Sequence, residues 1–201
     1  MSLPPDYFAR QYAGSPDPWG FRTRWYEQRK RDVTLACLPR PSYRSGFEPG
    51  CSIGVLSTAL AGRCERLLVA DVEGSALATC RAELIGVDHV EVHQMRVPDE
   101  WPVGEFDLVV VSELGYYLDS SSLDVLLDRA VDSLEDGGTL LACHWRHPVA
   151  DYPLSGDVVQ ERVLARAELV PLVSHVEPDF RLDVLTKGLA RSPAQAEGLV
   201  P

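Results

Sequence analysis

No apolar run approaches the roughly eighteen residues of a membrane-spanning helix. Met1 to Arg10 places Pro4, Pro5 and Asp6 where a secretory signal would need its apolar stretch. A cytoplasmic protein is therefore expected. Cysteine is sparse and odd in number: Cys37, Cys51, Cys64, Cys80 and Cys143 form no Cys-x-x-Cys pair and no Cys/His cluster at metal-ligand spacing. That argues against a disulfide scaffold or zinc module and predicts reduced, mostly buried thiols with no metal site. Positive charge is in deficit, 19 Lys and Arg against 30 Asp and Glu, for a formal net charge of -11. Such a surface repels phosphate backbones and anionic lipid, so neither nucleic acid nor membrane is an expected partner. The one basic run, Arg22 to Arg31, is broken by Trp25, Tyr26 and Glu27 and reads as one face of a helix. Internal repeats are absent.

What is present is the balance of an ordinary globular chain: 201 residues, 45% hydrophobic and 24% charged, about one domain by length. From residue 43 onward short apolar runs alternate with helical periodicity, the pattern of βα units around a parallel sheet. Tyr43 to Glu48, Arg66 to Asp71, Val90 to Gln94, Phe106 to Ser112 and Thr139 to His144 read as five parallel strands. The runs Leu67 to Ala70 and Leu108 to Val111 are continuously apolar, as strands covered on both faces should be. Helices are predicted after Gly54, over Ser75 to Leu84, from a cap at Ser120 or Ser121 to about Leu134, and over Val158 to Arg166. Leu169 to Glu177 and Arg181 to Lys187 flank Pro178-Asp179 and predict an antiparallel hairpin. The expected fold is an α/β, Rossmann-like doubly wound sheet of five parallel strands finished by that hairpin. It divides into a helical extension or lid (1–42, with a helix from about Arg24 to Leu38), the main domain (43–188) and a flexible tail (189–201).

Ligands of open α/β sheets sit at the carboxyl ends of the strands, where strand order reverses, so the first βα turn is informative. It reads Glu48-Pro49-Gly50-Cys51-Ser52-Ile53-Gly54. Small residues there let backbone approach a ligand, and the helix that follows offers free amides to negative groups. Asp71 ends the second strand at about the offset from this turn where an acid meets ribose hydroxyls.

With Glu48, Pro49, Gly50, Gly54 and Asp71 the chain resembles the class I S-adenosylmethionine-dependent methyltransferases. The resemblance narrows through Asp17-Pro18-Trp19-Gly20-Phe21, Trp25-Tyr26-Glu27, Met95 to Pro102, Ser112-Glu113-Leu114-Gly115-Tyr116-Tyr117 and His144-Trp145-Arg146-His147-Pro148. These blocks are similar to the NodS-type nodulation N-methyltransferase family over roughly residues 6 to 187. Members of that family methylate the deacetylated amine at the non-reducing end of a chito-oligosaccharide, with S-adenosylmethionine as cofactor. The resemblance implies that Glu48, Gly50, Ser52 and Gly54 line the methionine end of the cofactor and Asp71 holds the ribose. It implies further that Val72, Arg96 and Val97 flank the adenine and Trp19 closes over it. Ser52 departs from the class, which has glycine there.

Acceptor residues should come from the strand ends that face the methyl group. His144 and Glu113 are the candidate proton acceptors, and Tyr116, Tyr117, Trp145 and His147 the candidate walls of a sugar or amine pocket. The expected partner is a small-molecule or oligosaccharide acceptor, for a monomer or homodimer. A nicotinamide oxidoreductase would share the sheet but lacks the full Gly-x-Gly-x-x-Gly. An O-methyltransferase of small molecules and a non-catalytic S-adenosylmethionine sensor are the alternatives that keep the same loop.

Overall fold

The apolar runs become the centre of one seven-stranded sheet in the computed structural model, which describes residues 1–201. β1 (Gly46–Pro49), β2 (Leu67–Asp71), β3 (Val90–Gln94), β4 (Phe106–Ser112) and β5 (Leu134–Trp145) run parallel; β6 (Leu169–Val176) and β7 (Phe180–Lys187) form the antiparallel hairpin, in the order β3-β2-β1-β4-β5-β7-β6. The expected sheet is present, hairpin included.

Two apolar layers hold it. On one face Phe47, Val109, Val111, Leu140 and Ala142 pack against Leu123, Leu126 and Leu127 of α5 (Ser120–Ser133) and Val159 and Val163 of α6 (Gly156–Leu164). On the other, Val69, Leu108, Val110 and Leu141 pack against Leu60 of α3 (Val55–Ala61) and Leu77 and Cys80 of α4 (Gly74–Glu83), with Val33 of α2 (Trp25–Cys37) outside them. The three α5 leucines have no exposed surface, and burial stabilises each by about 1.5–3 kcal/mol. Cys51, Cys64, Cys80 and Cys143 are buried free thiols and Cys37 is half-buried. No helix is long and apolar enough to cross a membrane.

The structure departs from expectation in places that matter for the site. A helix not foreseen, α1 (Pro5–Gly14), starts with proline at its first turn, where a missing N–H costs nothing. It buries no residue fully, which is why no apolar stripe announced it. Asp119, rather than Ser120 or Ser121, caps α5: its carboxylate accepts the Ser122 N–H at 3.0 Å. Gly137 and Gly138 lie inside β5, which begins at Leu134 across a register shift against β4. The segment from 189 on includes a short helix, α7 (Pro193–Ala196), closed by a Ser192/Gln195 capping box.

Candidate active site

Strand order reverses between β1 and β4, and a cavity of about 730 Å³ opens at the carboxyl ends of the strands beside that point. Its floor is Gly50 and Ser52 after β1, Asp71 and Val72 at the end of β2, Met95 to Asp99 after β3, Glu113 and Leu114 after β4, and Trp145 ending β5. The N-terminal segment is its roof, through Leu3 ahead of α1, Phe8 and Tyr12 on it, and Trp19, Phe21 and Tyr26 beyond.

The loop after β1 is held from below by Asp71. Its Oδ2 accepts the Ser52 N–H at 2.8 Å and its Oδ1 the Glu73 N–H at 2.9 Å. Burial pushes the Asp71 carboxyl up, and these backbone donors pull it back toward the ionised form. Ser52 takes a left-handed conformation, φ 53°, where a side chain is strained and glycine would be easy. Tyr12 and Ser52 share a hydrogen bond through their hydroxyls, which ties α1 to this loop. Gly50 (φ 77°) needs its missing side chain, because a Cβ would press on Leu114.

Beneath the cavity three ionisable side chains meet. Lys30 Nζ donates to Glu113 Oε1 at 2.6 Å and to Glu27 Oε1 at 3.3 Å and lies 3.0 Å from Glu27 Oε2, with the Lys30, Glu113 and Glu27 side chains only 8%, 13% and 11% exposed. Glu113 Oε2 accepts the Trp145 N–H at 3.1 Å and the Tyr116 hydroxyl. Burial alone would raise the Glu113 carboxyl; Lys30 and the hydroxyl outweigh it and hold it below the usual glutamate range. Burial likewise works to lower Lys30, and the two carboxylates overcome it, so the ammonium is held charged. Glu27 is pushed up by burial despite Lys30. Glu113 also sits at φ 53°, so both strained non-glycine residues of the chain border this cavity.

Aromatic rings complete the wall. Tyr116 stacks on Tyr152 at 4.8 Å between centroids, Tyr117 meets both edge-on, and Phe8 packs on Tyr117 at 5.0 Å. Trp145 meets Tyr26 edge-on at 5.4 Å. The roof is pinned at the far end, where Leu3 N–H donates to Tyr117 O at 2.8 Å and Ser2 N–H to Asp119 Oδ2 at 2.9 Å.

Of the residues singled out from the sequence, Gly50, Ser52, Asp71, Val72, Arg96, Val97, Trp19, Glu113, Tyr116, Tyr117 and Trp145 all border this one cavity. Four do not. Gly54 faces α4: a Cβ there would lie 2.7 Å from Cys80 Sγ, so this glycine serves helix packing. Glu48 is buried below the loop, where it accepts the Ser57 hydroxyl at 2.6 Å and borders a side cavity of about 70 Å³; burial raises it to about 8. His144 was expected to accept a proton, but it has no exposed surface and lies on the β5 face covered by α6. Its Nε2 accepts the Gly115 N–H at 3.1 Å, Gln160 abuts its Nδ1, and burial holds it down to about 4. It shapes the turn before Tyr116 and cannot reach an acceptor. His147 was expected in the pocket wall; it is half exposed and turned outward, with Nε2 2.7 Å from Asp179 Oδ1. Glu113 is in place, yet with three donors on its carboxylate it is a poor proton acceptor.

Glu27, Lys30, Tyr12 and Tyr152 border the cavity without having been foreseen. For Glu27 and Lys30 the signal was the spacing Glu27, Lys30, Thr34, which puts three polar side chains on one helix face; that face is the buried one.

The family model for nodulation protein S matches residues 6–153. Nodulation protein S of Bradyrhizobium diazoefficiens is 31% identical over 127 residues, 62% of this chain and 61% of that protein. The matched stretch therefore spans about three-fifths of the curated relative's length. A crystal structure from Pseudomonas syringae, provisionally assigned as a methyltransferase, is 46% identical, with a TM-score of 0.73 over 82% of this chain and 100% of its own. The crystal structure of the N-methyltransferase NodS from Bradyrhizobium japonicum, in complex with S-adenosyl-l-homocysteine, superposes with a TM-score of 0.81 over 90% of this chain and 97% of its own at 23% identity, a likeness of fold.

Proposed function

The chain belongs to the nodulation protein S family, and from that premise we propose that it is an S-adenosylmethionine-dependent N-methyltransferase whose acceptor is an amino sugar of the deacetylated chito-oligosaccharide kind or another small amine. The observation that carries this reading is the sign of the cavity. Glu27, Asp71, Asp99, Glu113 and Asp119 border it against Arg24, Lys30, Arg96 and the Met1 amino group. A sulfonium cofactor and an ammonium acceptor both bring positive charge to that space.

The residues fit such a cofactor. Asp71 spends one lone pair of each oxygen on backbone and borders the cavity, suited to two ribose hydroxyls. Gly50 and Ser52 would lie along the methionine end, Val72, Arg96 and Val97 beside the adenine, and Trp19 and Tyr12 above. S-adenosylmethionine, when bound, supplies a methyl group already activated on sulfur. The protein's part is to align the acceptor nitrogen, exclude water and leave a lone pair free. The roof of α1 and Trp19 would exclude water; the rings of Tyr152 and Trp145 border the cavity and would give a sugar or alkyl amine apolar surface, with the buried Tyr116 stacked on Tyr152. Glu113, kept anionic by Lys30, would hold the acceptor's positive charge beside those rings.

The test is transfer of labelled methyl from S-adenosylmethionine to glucosamine oligomers with a free terminal amine, to their fully N-acetylated forms and to hydroxyl analogues. Label on the free amines alone is the expected result. Label on hydroxyls alone would favour the O-methyltransferase reading, and cofactor binding with no transfer to any acceptor would favour a sensor.

A further inference from the structure

We propose that Glu27 of α2 takes the proton of the acceptor amine, a catalytic role that rests on the N-methyltransferase reading above. The cluster at the cavity floor holds two carboxylates around one ammonium, so it carries one surplus negative charge. Accepting a proton brings it to neutrality while leaving one intact ion pair, a cheaper change in a buried site than discharging an isolated pair.

Geometry selects which carboxylate takes it. Glu113 is fixed as the anion by Lys30, the Tyr116 hydroxyl and the Trp145 N–H. Asp71 is held by two backbone N–H groups at the β2 end of the cavity. Asp99 is paired with Arg96 at the exposed rim, and Asp119 is taken up by Ser2, Ser121 and Ser122. The Glu27 carboxylate has Lys30 as its one hydrogen-bond partner, shares that partner with Glu113, and borders the cavity with lone pairs to spare. The charged and titratable groups around it are Lys30, Arg24, Arg31 and Tyr26 on or next to its own helix, Glu113 with Tyr116 behind it from the β4 end, Cys143 from β5, and Glu48 across the side cavity from β1. Burial raises its carboxyl toward the neutral form, the direction a proton acceptor needs.

The step balances. The bound ammonium gives one N–H proton to a Glu27 oxygen, and the freed nitrogen pair forms the new N–C bond to the methyl carbon. The C–S bond breaks with its electrons remaining on sulfur, which becomes a neutral thioether. The product leaves as a secondary ammonium, and Glu27 returns its proton to water.

Glu27→Gln tests this through the pH dependence of kcat/KM on a primary amine. The expected result is a loss of about 10²-fold or more at pH 7, recovered as the pH passes the amine's own pKa, where the free base binds already deprotonated. S-adenosylhomocysteine affinity should stay within about threefold of wild type. Infrared difference spectra of the ligand-free protein between acid and neutral pH should lose one titrating carboxyl band in the variant. An equal loss at every pH, a collapse of S-adenosylhomocysteine binding, or an unchanged carboxyl spectrum would overturn the assignment. A wild-type profile in the variant would overturn it too, while transfer to no amine by wild type would overturn the N-methyltransferase reading and this proposal together.

Discussion

Lys30 Nζ lies 2.6 Å from Glu113 Oε1 and 3.0 Å from Glu27 Oε2, so a single ammonium from the N-terminal extension joins that extension to the end of the fourth strand. Removing it by Lys30→Met leaves two buried carboxylates with no counter-charge, a change that typically costs about 3–5 kcal/mol. For a chain of this length each kcal/mol lowers the melting temperature by about 2–4 °C. The deficit should grow between pH 5 and pH 8, as the two carboxylates are forced to ionise, and adding Glu113→Gln should recover part of it. Calorimetric melting of the single and double variants measures both effects.

Glu48 makes a second pH prediction, of opposite sign to the usual carboxylate. Burial raises it to about 8, above the roughly 4.3 of a glutamate in the unfolded chain. The folded state therefore binds more protons than the unfolded one between those values, and its contribution falls as pH rises through that window. Glu48→Gln keeps an acceptor for the Ser57 hydroxyl and should flatten the decline, so its melting temperature relative to wild type should be higher at pH 8 than at pH 5. A parallel shift at both pH values would contradict this.

Asp71→Asn should weaken S-adenosylhomocysteine binding by about 1–3 kcal/mol, since the ribose loses a charged acceptor while the amide can still receive one backbone N–H. Isothermal calorimetry gives the affinity directly, and an unchanged value would remove Asp71 from the cofactor site.

Tyr12→Phe deletes the hydroxyl that meets Ser52 and should release α1 from the loop after β1. A hydrogen bond of this kind contributes about 0.5–1.5 kcal/mol. Amide exchange of residues 5–14 should quicken, and S-adenosylhomocysteine should dissociate a few-fold faster in stopped-flow experiments.

His144→Leu takes away the acceptor of the buried Gly115 N–H and should cost about 1–3 kcal/mol of stability. The pH dependence of the rate should keep its shape, because His144 does not reach the cavity.

The sheet was legible because strands covered on both faces must be continuously apolar: Leu67 to Ala70 and Leu108 to Val111 announced themselves. So were Gly50 and Asp71, whose places follow from the loop and the strand end. The direction of a strand-end side chain was not. His144 shares its face of the sheet with Leu140 and Ala142 under α6, whereas Trp145, one residue on, borders the cavity. Nor was the buried face of α2 legible, since its charged stretch reads only as one face of a helix. Its Glu27 and Lys30 are buried because a third charge, on Glu113, comes from eighty-three residues along the chain, a pairing no local pattern encodes.

A crystal structure with S-adenosylhomocysteine tests the central claim most directly. The account predicts ribose oxygens within hydrogen-bond distance of Asp71, the adenine between Val72 and Val97, and the sulfur directed toward the Glu27, Lys30 and Glu113 cluster under the rings of Tyr116 and Trp145. Ligand bound outside this cavity, or its sulfur turned away from that cluster, would contradict it.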